Sequence, residues 1–305
     1  MKKGIGHAHG KIILIGEHAV VYKTRAIAIP YNKTKVVTKV YESNKPNIIS
    51  DLFTGDISNA TGEIYSTVSL IEKLTKEFNL EPLTYEIISN IPISSGMGSS
   101  AAIASSIVEA VFDYLKLSLS NETRLKWIAY SEEIAHGNPS GIDALTTTFD
   151  NTWLFKKYEV PTKISINLKG YLIVSETDIL GKTKEAVSLV RKVVEDENKM
   201  YLIDEIGSQV ELCYQGLTNN NIEMVANAMN IAQRCLKELH VSTNTIDEMV
   251  NIALNNQALA AKLTGGGLGG CVIAITDTLD KANLVKESWE KYINKTSWIL
   301  NFEDL

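Results

Sequence analysis

Cysteine is scarce in this chain of 305 residues, with only three, at Cys213, Cys235 and Cys271. None belongs to a Cys-x-x-Cys pair, so the sequence has neither the ligand spacing of a structural zinc site nor the even set of cysteines of a disulfide framework. An odd number of widely separated thiols is typical of a reducing compartment. We therefore expect a cytoplasmic protein.

Long apolar runs and an excess of positive charge are also missing. The apolar stretch Ile12–Ile15 ends at once in Gly16-Glu17-His18, which is too short for a signal-peptide core, and no run approaches the length of a membrane span. The 30 lysines and arginines are outnumbered by 36 aspartates and glutamates, which gives a formal net charge of −6. Neither nucleic acid nor a membrane is therefore expected as a partner, and local groups must bind any anionic substrate.

The chain is otherwise ordinary for a globular protein, with 45% hydrophobic residues and a length that suits one large or two medium domains. Hydrophobic patterns in the first half predict two helices, Ser100–Leu115 and Glu122–His136. Apolar, β-branched runs there predict strands at Lys11–Ile15, Ala26–Ile29, Val36–Tyr41, Leu83–Ile88 and Trp153–Phe155. The second half predicts strands at Lys163–Leu168 and Tyr171–Ser175, a helical stretch from Thr183 to about Gln257, and then strand Cys271–Thr276, helix Thr278–Tyr292 and strand Ser297–Leu300.

This order of elements predicts an α+β protein with two domains. The expected joint is Lys156–Gly170, which contains Pro161 and several charges. We place the boundary after residue 162, so that the predicted domains are 1–162 and 163–305.

The stretch NIPISSGMGSSAAIASSIVEA (Asn90–Ala110) joins a predicted strand to a predicted helix through a turn rich in serine and glycine. The first N–H groups of a helix lack partners within the helix and lie at the positive end of its dipole, so together they form an anion site. Gly96 and Gly98 would let the backbone approach a phosphate, and Ser99 and Ser100 can cap the helix or offer a hydroxyl to a cation. The alternative is a plain capped helix with a glycine turn.

Glu132 occupies an unusual place in the helix predicted at Glu122–His136. At 100° per residue it falls in the middle of the apolar face formed by Leu125, Ile128, Ala129 and Ala135. A carboxylate there is costly unless it is paired or bound to a metal. A metal ligand and a buried salt bridge with lysine or arginine are both consistent with the pattern.

Three further segments combine polar residues with glycine. GKIILIGEHAVVY (Gly10–Tyr22) has Lys11 at the start of an apolar strand and Glu17-His18 just after it. HGNPSGID (His136–Asp143) follows a helix directly and is composed of ordinary turn residues. KLTGGGLGG (Lys262–Gly270) has five glycines in six positions, a density that suits backbone lying against a ligand.

Taken together, these motifs resemble those of the GHMP kinases, a family that includes kinases of galactose, homoserine, mevalonate and phosphomevalonate. Three family motifs occur in order, at Lys11–Tyr22, Pro92–Ala102 and Lys262–Cys271, and they span nearly the whole chain. The Gly-Glu-His version of the first motif and HGNPSGID are similar to the members that phosphorylate mevalonate. Two small departures, Met97 for leucine and Gly-Gly-Gly-Leu-Gly-Gly in the third motif, do not touch the expected chemistry.

The resemblance implies a fold and a reaction. The fold is an N-terminal ATP-binding domain with a mixed sheet and a left-handed crossover, followed by a ferredoxin-like C-terminal domain with extra helices. The reaction is transfer of the ATP γ-phosphoryl group to the C5 hydroxyl of mevalonate, with Mg²⁺ as cofactor. The ATP-binding residues implied are Pro92, Ser94, Ser95, Gly96, Met97, Gly98, Ser99, Ser100 and Ala101.

The resemblance also implies roles for the remaining polar residues. Asp143 is expected to accept the hydroxyl proton, as a base or as an orienting anion, and Lys11 to pair with it and stabilise the developing alkoxide. Ser100, or alternatively Ser99, is expected to share Mg²⁺ with Glu132. The residues expected to contact the substrate are Glu17, His18, Gly265, Gly266 and Gly267.

Two alternatives remain open at this point. Another small-molecule kinase of the same family, acting on phosphomevalonate or a sugar, would carry most of the same motifs. A catalytically dead binding protein on this fold would have lost Lys11, Glu132 or Asp143, and all three are present. The sequence does not determine the oligomeric state, and a homodimer is allowed.

Overall fold

The computed structural model describes residues 2–93, 95–137, 139–196 and 198–305. Its strands are β1 (Lys3–Ile15), β2 (Arg25–Glu42), β3 (Asn47–Ile49), β4 (Thr54–Asp56), β5 (Leu83–Ser89), β6 (Thr152–Lys156), β7 (Thr162–Ile164), β8 (Tyr171–Glu176), β9 (Ala260–Thr264), β10 (Cys271–Thr276) and β11 (Ser297–Asn301). Its α-helices are α1 (Tyr65–Phe78), α2 (Ser99–Leu115), α3 (Asn121–His136), α4 (Ile142–Thr148), α5 (Thr183–Asp196), α6 (Met200–Thr218), α7 (Ile222–Glu238), α8 (Asn244–Asn255) and α9 (Leu279–Ile293).

The chain forms two compact units that are interleaved along the sequence. The first contains Met1–Lys11, Tyr31–Ile91 and Gly98–Phe149, and the second contains Ile12–Pro30, Pro92–Met97 and Asp150–Leu305. These units group residues by contact, whereas the domains expected at 1–162 and 163–305 are continuous stretches of chain. The boundary after residue 162 therefore stays a prediction.

The first unit has a mixed sheet. Its part of β2 runs antiparallel to β5, and β3 lies parallel to β5 and antiparallel to β4. Helix α2 is the central helix of this unit, because eleven of its 17 residues are buried. Strand β1 lies directly against it, since a Cβ atom added at Gly4 or Gly6 would come within about 2 Å of a carbonyl oxygen of α2. This close approach holds the first part of β1 against α2, and further along the strand the Lys11 side chain lies beside Gly98 at the start of α2.

The second unit is built on an antiparallel sheet of four strands in the order β11-β8-β10-β9. That order, with α9 between β10 and β11 and helices α5–α8 between β8 and β9, is the ferredoxin-like arrangement with extra helices. The core combines β-branched strand residues with apolar helix faces, including Ile173, Ile203, Leu236, Val272, Ala274 and Trp289. The fold class expected from the sequence is therefore confirmed.

Several predicted elements need correction. The strands expected at Ala26–Ile29 and Val36–Tyr41 are one strand, β2, which continues through Pro30. The strand expected at Lys163–Leu168 ends at Ile164, and the backbone N–H of Asn167 instead donates to the carbonyl of Leu217. The prediction also missed five elements altogether, which are α1, α4, β3, β4 and β9.

The buried face of α3 also differs from the predicted one. Ile128, Ser131 and Glu132 are buried, as expected for Ile128 and Glu132, but Ala129 is exposed. Ala129 projects about 100° around the helix from Ile128. The buried residues lie on one side of Glu132, and Ala129 lies on the other. Glu132 is nevertheless 2% exposed, so a carboxylate does lie within the buried face.

Candidate active site

The N-terminus of α2 is shaped to receive an anion. Its N-cap is Gly98, with φ of 73°, and no side chain among the described residues caps the helix. The amides of Ser99, Ser100 and Ala101, in the first turn, therefore have no capping group, and the helix dipole is positive there. A Cβ atom at Gly98 would lie 2.8 Å from Thr147 and 3.0 Å from the Lys11 side chain, so only glycine fits this turn without displacement.

Lys11 and Asp143 meet in the first unit. The Lys11 ammonium is 2.8 Å from the Asp143 carboxylate; the lysine side chain is 2% exposed and the aspartate side chain 34%. Lys11 is held by β1, and Asp143 is in the first turn of α4, which begins after Gly141 with φ of 87°. The carboxylate is therefore oriented by a buried cation and remains accessible on its other side.

Ser100 and Glu132 also lie together in the first unit. The Ser100 hydroxyl donates to Glu132 Oε1 at 2.6 Å, and His136 Nε2 is 3.2 Å from the same hydroxyl and 3.8 Å from Glu132 Oε2. Burial raises the pKa of Glu132 to about 7; the nearby Asp143 charge adds to this rise, and the Ser100 hydrogen bond and Lys11 oppose it. The carboxylate is thus poorly compensated within the protein.

The donor set at this point fits a magnesium ion that is shared with phosphate groups. In the described part of the chain, Glu132 has no lysine or arginine nitrogen within 4.0 Å, so the expected salt-bridge alternative is not found there. The same residues contain no cluster of three or more His, Cys, Asp or Glu side chains that could hold a metal by themselves. Mg²⁺ commonly takes one or two protein oxygens and completes its shell with substrate phosphates and water, and Ser100 with Glu132 offers such a pair.

In the second unit, Glu17 forms an ion pair with Lys262. The Lys262 ammonium donates to Glu17 Oε1 and to the Leu263 carbonyl, each at 2.5 Å, and both charged side chains are fully buried. Burial lowers the pKa of Lys262, and the Glu17 carboxylate opposes that shift. Unlike Asp143, Glu17 has no exposed surface.

His18 follows Glu17 and is held just as closely. Its backbone has φ of 60°, and its Nε2 is 2.9 Å from the carbonyl oxygen of Gly266. Burial lowers the pKa of His18 to about 4, the positive charge of Lys262 adds to the lowering, and the Gly266 hydrogen bond opposes it. The ring is therefore neutral at neutral pH.

The glycine loop after β9 packs against the turn that precedes Met97. Gly96 and Gly265, each with φ of 80°, lie so close that a Cβ atom on Gly265 would be 3.0 Å from the Gly96 Cα. A Cβ atom on Gly270 would be 2.9 Å from the Ser95 carbonyl oxygen. The glycines are thus needed for contact between two backbone segments, and the ligand approach expected from the sequence stays a prediction.

The remaining predicted residues have the following surroundings. The Ser95 hydroxyl donates to the Pro92 carbonyl at 2.7 Å, and the Met97 side chain is fully buried. Gly266 packs against Thr183, and Gly267, with φ of 74°, packs against Val241. Ser94 lies outside the described residues. The ligand contacts of all these residues stay predictions.

Sequence reasoning missed the roles of Lys262 and His136. Lys262 is a charged residue within a five-residue strand that is otherwise apolar except for its last residue, and that break in the pattern is the signal that could have identified it. His136 is four residues after Glu132, so helix geometry places both on the same face. Thr264, whose hydroxyl donates to the Ile13 carbonyl at 2.8 Å, had no comparable signal.

Two family models match the chain. The GHMP kinase N-terminal domain matches residues 64–151, and the GHMP kinase C-terminal domain matches residues 213–295. Together they cover more than half of the chain, and the motifs at Pro92–Ala102, His136–Asp143 and Lys262–Cys271 lie within them. The chain belongs to the GHMP kinases, a family whose members use ATP.

Within that family the chain is similar to mevalonate kinases. The mevalonate kinase of Thermococcus gammatolerans is 32% identical over 298 residues, which cover 89% of this chain and 88% of that protein. The crystal structure of mevalonate kinase from methicillin-resistant Staphylococcus aureus MRSA252 is 31% identical, with a TM-score of 0.78 and 99% of each chain covered. Similarity of this extent places the chain among the mevalonate kinases.

The fold alone does not distinguish members of the family. A structure of Streptococcus pneumoniae phosphomevalonate kinase, in complex with phosphomevalonate and AMPPNP, has a TM-score of 0.82 over 97% of this chain and 99% of its own. Its sequence identity is only 16%, so that likeness concerns the fold. No helix in the described residues is long and apolar enough to cross a membrane.

Proposed function

We propose that the protein transfers the γ-phosphoryl group of ATP to the C5 hydroxyl of mevalonate and so forms 5-phosphomevalonate for isoprenoid precursor synthesis. The observation that carries this proposal is the Lys11–Asp143 pair, at 2.8 Å, in a chain about one-third identical to mevalonate kinases over nearly its whole length. The pair supplies an oriented carboxylate and a buried positive charge, which are the two groups that an alcohol needs in order to become a nucleophile.

Asp143 and Lys11 act on the acceptor hydroxyl in this proposal. The Asp143 carboxylate orients the hydroxyl and accepts its proton, since one of its oxygens is held by Lys11 and its side chain is one-third exposed. Lys11, which is almost fully buried, stabilises the negative charge that develops on the hydroxyl oxygen. Phosphoryl transfer depends mainly on positioning and on neutralising oxygen charges, so these two groups are sufficient for the acceptor side.

The N-terminus of α2 binds the phosphates in this proposal. The uncapped amides of Ser99, Ser100 and Ala101 provide N–H donors at the positive end of the helix dipole, and the glycines at positions 96 and 98 give the turn its positive φ angles. Pro92, Ser94, Ser95 and Met97 belong to the same turn and are proposed to contribute through its backbone. The buried Met97 side chain agrees with a backbone role.

Mg²⁺ is proposed to be held by the Ser100 hydroxyl and the Glu132 carboxylate, which are 2.6 Å apart. The ion, when bound, neutralises phosphate oxygens. A carboxylate whose pKa is raised by burial gains a partner in this way. His136, which lies beside both oxygens, keeps Ser100 and Glu132 in place.

His18 and the glycines at positions 265–267 are proposed to contact mevalonate. Glu17 was expected to do the same, but its carboxylate is fully buried against Lys262, so we propose that it acts on the substrate only through its neighbours. The protein is also proposed to be cytoplasmic and to act without nucleic acid or membrane partners. A homodimer remains allowed.

An assay of ATP-dependent phosphorylation with several acceptors tests the proposal. Mevalonate, phosphomevalonate, galactose and homoserine would be compared at equal concentration, with product identified by mass spectrometry. We expect mevalonate to have the largest kcat/KM. Equal or faster turnover of another acceptor would assign the protein to another kinase of the family, and ATP binding without turnover of any acceptor would support a sensor.

A further inference from the structure

The buried Glu17–Lys262 ion pair is not explained by the proposed chemistry. It joins two segments that are 245 residues apart, and both side chains are sealed from solvent. It therefore cannot touch a substrate. Buried ion pairs are seldom retained for stability alone, because apolar residues of similar size often stabilise a core as well or better. This pair is accordingly a candidate for a role beyond packing.

The pair lies next to two points at which the same segments are tied together again. Thr264, two residues after Lys262, donates its hydroxyl to the Ile13 carbonyl at 2.8 Å. His18, directly after Glu17, places Nε2 2.9 Å from the Gly266 carbonyl. The three contacts join residues 13–18 of the first segment to residues 262–266 of the second, so the ion pair is one of three ties between two short stretches of chain.

The His18 contact also determines where the ring carries its proton. A carbonyl oxygen can only accept a hydrogen bond, so Nε2 must carry the hydrogen. Because the ring is neutral, Nδ1 carries no hydrogen. Its lone pair can therefore only accept a hydrogen bond. A ligand that meets Nδ1 must therefore present a donor such as a hydroxyl group.

We infer that the Glu17–Lys262 pair is a positioning device that holds His18 in this single tautomer and fixes the start of the glycine loop. This inference rests on the proposed function, in which His18 contacts the acceptor. Lys262 acts in two ways. Its two hydrogen bonds hold Glu17 and the Leu263 carbonyl, and its charge disfavours a second positive charge on His18. The expected consequence is tight binding of the acceptor, with little influence on ATP.

The double variant Glu17→Gln/Lys262→Met tests the inference without leaving a charge buried and unpaired. We expect it to fold, with a melting temperature close to that of the native protein. We expect its KM for mevalonate to rise about tenfold, as for the loss of one well-placed hydrogen bond, and its KM for ATP to change little. Nitrogen-15 NMR of the imidazole rings should show one His18 tautomer, unchanged between pH 5 and 8, in the native protein, and mixed or titrating signals in the variant.

Trp289→Phe is the matched control, because it removes the buried hydrogen bond from Trp289 to the Met249 carbonyl, at 2.8 Å, in the same unit. It should lower the melting temperature without changing either KM or the His18 signals. A folded double variant with native KM for mevalonate and a native His18 tautomer would overturn the inference. If the native protein does not phosphorylate mevalonate, the proposed function fails, whereas the NMR comparison still decides whether the pair positions His18.

Discussion

Each of the two units contains a lysine paired with a carboxylate, and the two pairs differ in exposure. In the first unit, Lys11 holds Asp143, whose side chain is 34% exposed. In the second unit, Lys262 holds Glu17, whose side chain is not exposed at all. The lysine is buried in both. The difference therefore lies in the acid, which can meet a ligand in one unit and cannot in the other.

The roles proposed for the two acids follow this difference. Asp143 is proposed to take part in the reaction, whereas Glu17 is proposed to position the chain around it. An exposed carboxylate with a buried cation on one side is oriented and still available, which suits proton transfer. A carboxylate that is buried together with its cation cannot contact a ligand and can only fix the position of neighbouring residues. Neighbouring residues in one sequence motif, such as Lys11 and Glu17, can thus have different kinds of function.

The largest expected effect is on catalysis by Asp143. Asp143→Asn should lower kcat by about 10²–10⁴, because positioned proton transfer is worth roughly that much, while KM for ATP stays within a few fold. Lys11→Met should also lower kcat strongly, and the double variant should lose less than the product of the single losses, since the pair acts as a unit. Steady-state kinetics with mevalonate measures all three.

Asp51→Asn, the same change at an exposed residue of the first unit, serves as the control and should leave the kinetics unchanged. Full activity of Asp143→Asn at neutral pH would remove Asp143 as the proton acceptor.

The next effect concerns stability and compares the two pairs directly. Lys262→Met leaves the Glu17 charge buried without its partner, which should lower the free energy of unfolding by about 3–5 kcal/mol. Lys11→Met leaves Asp143 partly solvated, so the loss should be on the order of 1 kcal/mol. Urea unfolding at pH 7 measures both. Equal losses would show that exposure of the acid does not distinguish the pairs.

A third effect depends on pH and concerns Glu132. Its pKa is raised from 4.5 to about 7 in the folded protein, so the group favours the fold most below pH 4.5, and this contribution is lost as pH rises to about 7. Glu132→Gln without nucleotide should therefore equal the native protein in stability at pH 4.5. At pH 8 the free energy of unfolding of Glu132→Gln should exceed that of the native protein by on the order of 2–3 kcal/mol.

Thermal melting of both proteins from pH 4.5 to 8 checks this expectation, and a Mg²⁺ titration of activity should show a higher requirement in Glu132→Gln. A variant that is less stable than the native protein at pH 8, with an unchanged Mg²⁺ requirement, would contradict the metal assignment.

The smallest effect should come from an ion pair whose two members are both exposed. Arg25 and Glu211 meet at 3.1 Å in the second unit, and their side chains are 44% and 45% exposed. Arg25→Ala should change the free energy of unfolding by less than about 1 kcal/mol, and added salt should reduce the difference further. A loss as large as that of Lys262→Met would mean that burial does not govern these pairs.

Much of the fold could be predicted because the patterns are local. Helix α2 was expected from Ser100 and begins at Ser99, and strand Cys271–Thr276 was predicted with its observed bounds. The five elements that were missed include the three-residue strands β3 and β4, which are too short to show a period, and β9, which follows a long helical region without a clear break. The single strand β2 was divided because Pro30 interrupts its pattern.

Less of the candidate site could be predicted without the family resemblance. The helix period did place Glu132 on a buried face, whereas the anion site expected at the glycine-rich turn stays a prediction. The contacts of Lys262 with Glu17 and of His18 with Gly266 join residues about 250 positions apart, and no local pattern relates such distant residues. The pairing of Lys11 with Asp143 was expected only from the family resemblance, because the spacing of these residues along the chain does not indicate a contact.

The distance along the chain between Glu17 and Lys262 also has a consequence for biosynthesis. The segment Ile12–Pro30 belongs to the second unit, whose other residues are mostly in Asp150–Leu305. At about 5–20 residues per second, a ribosome needs roughly 10–50 s to add the 245 residues between the two partners. During that time the Glu17 carboxylate lacks Lys262, so the second unit can close around this ion pair only after β9 has been synthesised.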